Sequence, residues 1–222
     1  MGKNQGQIIP KTFIKSLLFI YTQRWHMVWL EVETKVKLDD SEVQLFRDKI
    51  RKIAKFEKKG KKVDDYFAIQ NSPMYYPKKA FRTRTTSDHI EINFKKHLKK
   101  LWTKSVVVKQ EFEFKIEKAH FKDMIELFYD MGFTEWVQKV KYNETYQWNK
   151  NKKVSIELNK VDYLGYFIEI EYLVQPSDVK KAISNIEAVL KELGIKQEQI
   201  DNTGYTKMLW YKGTKHKKKF VK

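Results

Sequence analysis

The chain has 222 residues, 41% of them hydrophobic, with 45 Lys plus Arg against 28 Asp plus Glu, a formal net charge of +17. That length suits one sizeable domain, and 14 Phe, 12 Tyr and 6 Trp exclude wholesale disorder, because so many rings need burial. The absence of Cys excludes disulfides, thiolate zinc sites, iron–sulfur clusters and cysteine nucleophiles; a reducing, cytoplasmic setting is compatible with it.

Residues 1–27 carry Lys3, Lys11, Lys15 and Arg24 and no acid, and read as an N-terminal extension, with Met27 an alternative start. Their most apolar run, Ser16 to Gln23, is far short of the roughly 20 residues that span a bilayer, and no small-residue cleavage site follows it. No membrane partner is expected. A single domain is read over residues 28–209. It opens with a strand, Met27 to Leu38. A helix follows from Asp39, with Asp39, Asp40 and Ser41 at its N-terminus, Val43, Phe46, Ile50 and Ile53 at helical spacing, and Gly60 at its end.

Next come strands around DDYFAI, AFRTRTT and HIEINFKK, a basic connection over residues 96–104, and the strand SVVVKQEFEFKIE. The helix HFKDMIELFYDMG stops at Gly132. Three strands follow, EWVQKVKYNETY, KKVSIELNKV and GYFIEIEYLV, then a helix from Ser177 to Gly194 and a short one around Gln197–Leu209. Strand, helix and several strands thus occur twice in the same order, which suggests two related halves. Residues 210–222 form a basic tail. The two termini hold most of the excess charge, so nucleic acid is an unlikely partner except weakly through the tails.

Every second side chain of a strand shares a face. Glu31, Glu33 and Lys35 therefore lie together, opposite Val32 and Val36. Arg82 pairs with Arg84; Glu91 and Asn93 with Lys95; Lys109 with Glu111, Glu113 and Lys115; Lys139 with Lys141; Glu157 with Asn159; and Glu169 with Glu171. One reading is a half-exposed antiparallel sheet with its charges in water. The other is a barrel whose apolar side faces outward under the helices and whose charged faces line the interior. Close carboxylates would then need a cation, and the facing guanidinium and ammonium groups an anion. A metal-chelated polyphosphate satisfies both.

Several segments resemble, in order, those of the CYTH superfamily, the triphosphate tunnel metalloenzymes. EVETK resembles its Glu-x-Glu-x-Lys signature and VDDYF its Asp-x-Tyr-Phe segment. AFRTR, INFK, KQEFE, FYDMGF and VQKVKY resemble the strands and helix end that follow. VDYLGYFIEIEY resembles the Leu-Gly-x-Phe-x-Glu-Ile-Glu segment, and GYTKML the closing helix. The resemblance implies an α+β fold: an eight-stranded antiparallel tunnel with helices packed outside, binding a triphosphate with Mg²⁺ or Mn²⁺. It implies metal ligation by Glu31, Glu33, Glu169 and Glu171. Asn159 stands where the family often has an Asp; either its amide oxygen is a metal ligand, or Glu157, on the same face, substitutes for it. Lys35, Arg82, Arg84, Lys95, Lys109, Lys139 and Lys141 would bind phosphate, with Lys35 the candidate catalytic residue and Glu111 and Glu113 acidic tunnel positions.

The implied activity is hydrolysis of a nucleoside triphosphate, thiamine triphosphate or tripolyphosphate, or cyclisation of ATP by a class IV adenylate cyclase. A non-catalytic polyphosphate, nucleotide or RNA binder is the alternative, and a homodimer is open. Other chemistries lack their motifs. His26, His89, His97, His120 and His216 show no H-x-x-x-H spacing. No Gly-rich phosphate loop and no G-x-S-x-G elbow is present.

Overall fold

The computed structural model describes residues 29–69 and 75–213. The N-terminal extension and residues 214–222 of the basic tail lie outside these described residues. Eight strands are formed: β1 (Leu30–Leu38), β2 (Ala54–Ala68), β3 (Ala80–Thr85), β4 (His89–His97), β5 (Val107–Glu117), β6 (Thr134–Trp148), β7 (Val154–Val161) and β8 (Gly165–Val174). They close into one antiparallel barrel in the order β1-β5-β4-β3-β2-β6-β7-β8. The helices are α1 (Val43–Ile53), α2 (Phe121–Asp130), α3 (Val179–Leu193) and α4 (Tyr205–Tyr211). The expected class, an α+β antiparallel barrel with helices outside, is the observed one.

The barrel is apolar on its outside because helices cover it there. Val32 and Val36 of β1, Ile156 and Leu158 of β7, and Ile168 and Ile170 of β8 all join one buried cluster with Phe46 and Ile50 of α1 and Ala182, Ile186 and Val189 of α3. The helical spacing of Val43, Phe46 and Ile50 aims one stripe of α1 at the barrel wall. α3 does the same with Ala182, Ile186, Val189, Leu190 and Leu193, and ends at Gly194 with φ +67°, a left-handed cap that suits glycine. α2 covers the far wall, where Ile125 meets Phe67 and Phe81, two rings stacked 5.1 Å apart.

Two expected elements differ. The first helix ends at Ile53 rather than Gly60. The apolar stripe stops at Ile53, Ala54 is extended (φ −143°, ψ 147°), and residues 54–60 open β2, which pairs with β6 from Ala54 opposite Trp148 onward. That pairing satisfies the backbone of a lysine-rich run with nothing to bury, and Gly60 stands opposite Asn143 instead of ending a helix. The final helix is also broken. Only a turn at Gln197–Gln199 forms before α4. The segment between runs extended along β1, where the Lys35 N–H donates to the side-chain oxygen of Asn202 at 2.8 Å and the Asp201 N–H to the Lys35 carbonyl at 2.9 Å.

Ile186 is fully buried between α3 and the barrel. Ile186→Ala should therefore lower the unfolding free energy by about 2–5 kcal/mol in urea denaturation. A loss below about 1 kcal/mol would mean that this helix does not seal the wall.

Candidate active site

Charged side chains from all eight strands converge inside the barrel. Their inward direction is shown by contacts between strands that are not neighbours. Lys95 of β4 reaches Glu31 of β1 past β5. Lys62 of β2 reaches Glu157 of β7 past β6, at 2.7 Å. Lys141 of β6 reaches Glu169 of β8 past β7, at 2.8 Å. The charges are also buried: Glu31 is 1% exposed, Lys35 3%, and Asp64 and Asn159 0%. Short sequence alternation is what builds this. A polar residue at every second position turns inward only because the other positions belong under the helices.

Three groupings follow. In the first, Asp64 gathers cations from two neighbouring strands. It accepts from Arg84 Nε at 2.7 Å, lies 2.7 Å from Lys139 Nζ and 4.0 Å from Arg82 Nε. Burial pushes the Asp64 carboxyl up, but Lys139, Arg82 and Arg84 together hold it far below the usual carboxylate range. Arg82 is held more loosely, 3.8 Å from Glu113 and 4.0 Å from Glu91, and its buried Nε donates to no acceptor among the described residues.

The second grouping centres on Lys141, whose ammonium sits 2.7 Å from Glu157 and 2.8 Å from Glu169. Asn159 donates to Glu169 at 2.8 Å, and Lys35 lies 3.8 Å from it. Against the cost of burial, Lys141 brings both Glu157 and Glu169 down to about 2. Lys35 goes the other way: burial outweighs Glu169 and lowers its pKa. Its ammonium donates to the Thr203 carbonyl at 3.0 Å and lies over the Tyr205 ring, 4.1 Å from its centre.

The third grouping holds Glu31, Glu33, Glu111 and Glu171. Lys95 pairs with Glu31 and, at 2.6 Å, with Glu111; Lys109 pairs with Glu33. Glu171 has no ion-pair partner among the described residues. It stands directly opposite Glu33. Burial first, and then Glu31, Glu33 and Glu111, raise its pKa well above the usual carboxylate range despite Lys95.

Every residue expected from the sequence points into this interior, but the expected metal ligands do not form one set. Glu157 and Glu169 hold the Lys141 ammonium, with Asn159 bonded to Glu169, whereas Glu31 and Glu33 pair with Lys95 and Lys109 and Glu171 stands opposite Glu33. Among the described residues no three carboxylate or imidazole groups close around a common point. The donor chemistry of Glu31, Glu33 and Glu171 nonetheless fits a hard divalent ion. A carboxylate crowded by other carboxylates is stabilised by a cation beside it, and the half-buried Glu171 is such a group. Sequence reasoning missed Asp64, Lys62 and Tyr205 as members of the site. The alternation Lys62, Asp64, Tyr66 carries the signal; Asp64 and Tyr66 lie in the expected strand DDYFAI, and Lys62 in the part of β2 that the longer expected helix leaves out.

One end of the tunnel opens into a cavity of about 780 Å³ lined by Lys35, Arg82, Lys95, Lys109, Lys139 and Tyr205 among others. Tyr205, at the start of α4, packs edge-on against Phe167 at 5.0 Å and narrows this end.

The family model of the CYTH domain matches residues 30–205. A comparison with curated proteins finds no match. Among solved structures, the PH1819 protein of Pyrococcus horikoshii OT3 shares 27% identity over 82% of this chain and 99% of its own, with a TM-score of 0.65. A conserved hypothetical protein of Pyrococcus furiosus shares 25% identity over 80% of this chain and 98% of its own, with a TM-score of 0.62. At 18% identity, the candidate adenylyl cyclase HpAC1 of Hippeastrum, described as having a dominant triphosphatase activity, shares the fold over 83% of this chain and 96% of its own (TM-score 0.56). No helix among the described residues is long and apolar enough to cross a membrane.

The depressed carboxyls set a pH window. Glu157 and Glu169 titrate near 2 when folded against an ordinary 4.5, so their stabilisation is complete above 4.5 and is lost as pH falls through about 2. Chemical denaturation at stepped pH should show stability falling across that window. Lys141→Met, which leaves Glu157 with Lys62 alone and Glu169 with Lys35 alone, should cost about 1–3 kcal/mol at neutral pH and flatten the fall. Equal pH slopes in the two proteins would contradict the pairing.

Proposed function

Because this chain belongs to the CYTH domain family, we propose that it is a metal-dependent enzyme that draws a triphosphate into the barrel and hydrolyses its terminal phosphoanhydride. The observation that carries this reading is the composition of the interior: cations from several strands beside a half-buried carboxylate, Glu171, that has no ion-pair partner among the described residues. A polyanion and a divalent ion entering together supply what each half lacks.

In this reading Arg82, Lys95, Lys109 and Lys139 take phosphate oxygens. Each now holds a carboxylate, so phosphate binding is an exchange of partners. The carboxylates released from Lys95 and Lys109 are Glu31 and Glu33, which with Glu171 would hold Mg²⁺ or Mn²⁺. Bound there, the metal would neutralise phosphate charge as a Lewis acid. Arg84 is less available, because Asp64 occupies its Nε. Water attacks the terminal phosphorus, the bond to the bridging oxygen breaks, and positioning plus charge neutralisation supply most of the acceleration. Lys35 is assigned to proton handling at the attacking water, since burial favours its neutral form. Glu157, Asn159 and Glu169 are assigned to holding Lys141 and Lys35 in place rather than to the metal. Glu111 and Glu113 orient Lys95 and Arg82.

The assay is phosphate release from tripolyphosphate, ATP and thiamine triphosphate with Mg²⁺ or Mn²⁺, with cyclic AMP measured alongside. Glu171→Gln and Glu33→Gln should each lower metal-dependent turnover on the order of 100-fold or more while the protein stays folded. Normal turnover by either would remove the metal assignment. Arg82→Ala should raise KM more than Arg84→Ala. Cyclic AMP as the main product from ATP would replace hydrolysis by cyclisation. Absence of any turnover, with RNA binding that disappears on deleting residues 207–222, would replace the enzyme by a binding module.

A further inference from the structure

β5 runs on past the strand beside it. β1 pairs with it only from Glu33 opposite Val107 to Leu30 opposite Gln110, whereas β4 follows it as far as Glu117. On the β1 side the stretch Glu111–Glu117 therefore meets no strand among the described residues. Such an edge is a template for another strand. The outer face beside it is apolar. Phe94 stands directly opposite Phe112, with the rings 6.1 Å apart, and Phe114 comes next along β5 on the same face. Phe94 is 39% exposed, Phe112 37% and Phe114 61%. The cluster under α2 takes in Ile92 of β4 but neither Phe112 nor Phe114. An open edge next to exposed rings is what proteins ordinarily cover or blunt.

The order of residues along this edge selects its occupant. Two copies of β5 related by a two-fold axis through the sheet run antiparallel, and each residue then stands opposite one of the same face. Centred on Glu113, the run Glu111, Phe112, Glu113, Phe114, Lys115 sets Glu111 opposite Lys115 of the second copy, twice by symmetry. It sets Phe112 opposite Phe114, again twice. Glu113 alone meets its like, at the axis. Opposite charges and aromatic rings at directly opposed positions are the favourable cross-strand pairs. Centred on Phe114 instead, the edge would set Glu111 opposite Glu117 twice, and like charges disfavour that register. Pairing ends at Lys115, because Gln110 is already held by Leu30.

We propose that this edge joins two copies of the chain: β5 pairs with β5 through Glu111–Lys115 into one continuous sheet, and Phe112 and Phe114 of both copies pack side by side on its outer face. The other face of β5 is turned to the lumen, where Glu111 pairs with Lys95 at 2.6 Å. Lys115 of the second copy thus arrives beside Glu111, at the rim of the glutamate-rich grouping, and adds a cation there. The interface does not depend on the triphosphate reading. It is short, so the dimer is expected to be weak, with Kd on the order of 10 µM.

The test is sedimentation velocity of the full chain from about 1 to 100 µM, over which the mass should rise from 26.8 kDa toward twice that. Phe114→Glu and Lys115→Glu, both at exposed positions, should each raise the dimer Kd about tenfold with the circular dichroism unchanged, and Lys115→Arg should keep it. The chain has no Cys, so oxidation reads the register. Glu113→Cys, directly opposite itself, should form an intermolecular disulfide. Lys115→Cys, whose two copies lie roughly 13 Å apart, should not. A native chain that stays monomeric throughout, a Lys115→Glu dimer as tight as the native one, or equal cross-linking at both positions overturns the proposal. So does a disulfide within one chain of the Val28→Cys, Phe112→Cys double variant, the register in which β1 runs on past Leu30, because the edge then holds the chain's own N-terminal segment.

Discussion

Taking an ionised side chain out of water costs several kcal/mol unless an opposite charge meets it inside. This barrel takes in carboxylates together with ammonium and guanidinium groups, and the mutual cancellation of the two signs is the condition on which the rest of the architecture depends. Asp64 with Arg84 and Lys139, and Lys141 with Glu157 and Glu169, are two expressions of it. Cancellation needs partners from strands far apart in the sequence. Only closure of the sheet brings β4 to β1 and β2 to β7. The apolar half of the alternation must then face outward, and α1, α2 and α3 cover much of it there, while Phe94, Phe112 and Phe114 of β4 and β5 stay exposed. The fold is thus inverted relative to an ordinary barrel, with its hydrophobic core between wall and helices rather than in the lumen.

The same cancellation makes the interior exchangeable. An internal ion pair gives way when a stronger partner arrives for each member. Phosphate is such a partner for the lysines, and a divalent ion for the glutamates. Neither alone improves the balance, because each would strand the charges of the other sign. Metal and triphosphate binding are therefore expected to reinforce each other, a coupling between two ligands of one site. Glu171 marks where the balance is incomplete beforehand.

Much of this was readable in the chain. The strict alternation in EVETK and FIEIE predicted which face each residue takes, and these strands lie where expected, with β8 matching end for end. The choice between a wet outer face and a lined interior was not decided by periodicity, because both give the same pattern along any one strand. Only pairing around the closed sheet decides it. The lysine-rich run from Lys55 to Lys62 was misread for a related reason. It has no apolar period of either kind, and its strand state comes from β6 across the sheet. Asp64 lies in the expected strand DDYFAI, but its place among Arg82, Arg84 and Lys139, like the division of the expected metal ligands by Lys141, depends on side chains meeting across the lumen.

The most direct test is diffraction from crystals grown with Mn²⁺ and a non-hydrolysable triphosphate, with the metal located by its anomalous signal. The account predicts the ion inside the barrel within reach of Glu31, Glu33 and Glu171, and the phosphates on Arg82, Lys95 and Lys109 with their former carboxylate partners displaced. Metal and triphosphate on the lysine-rich outer surface, with the internal ion pairs undisturbed, would contradict it.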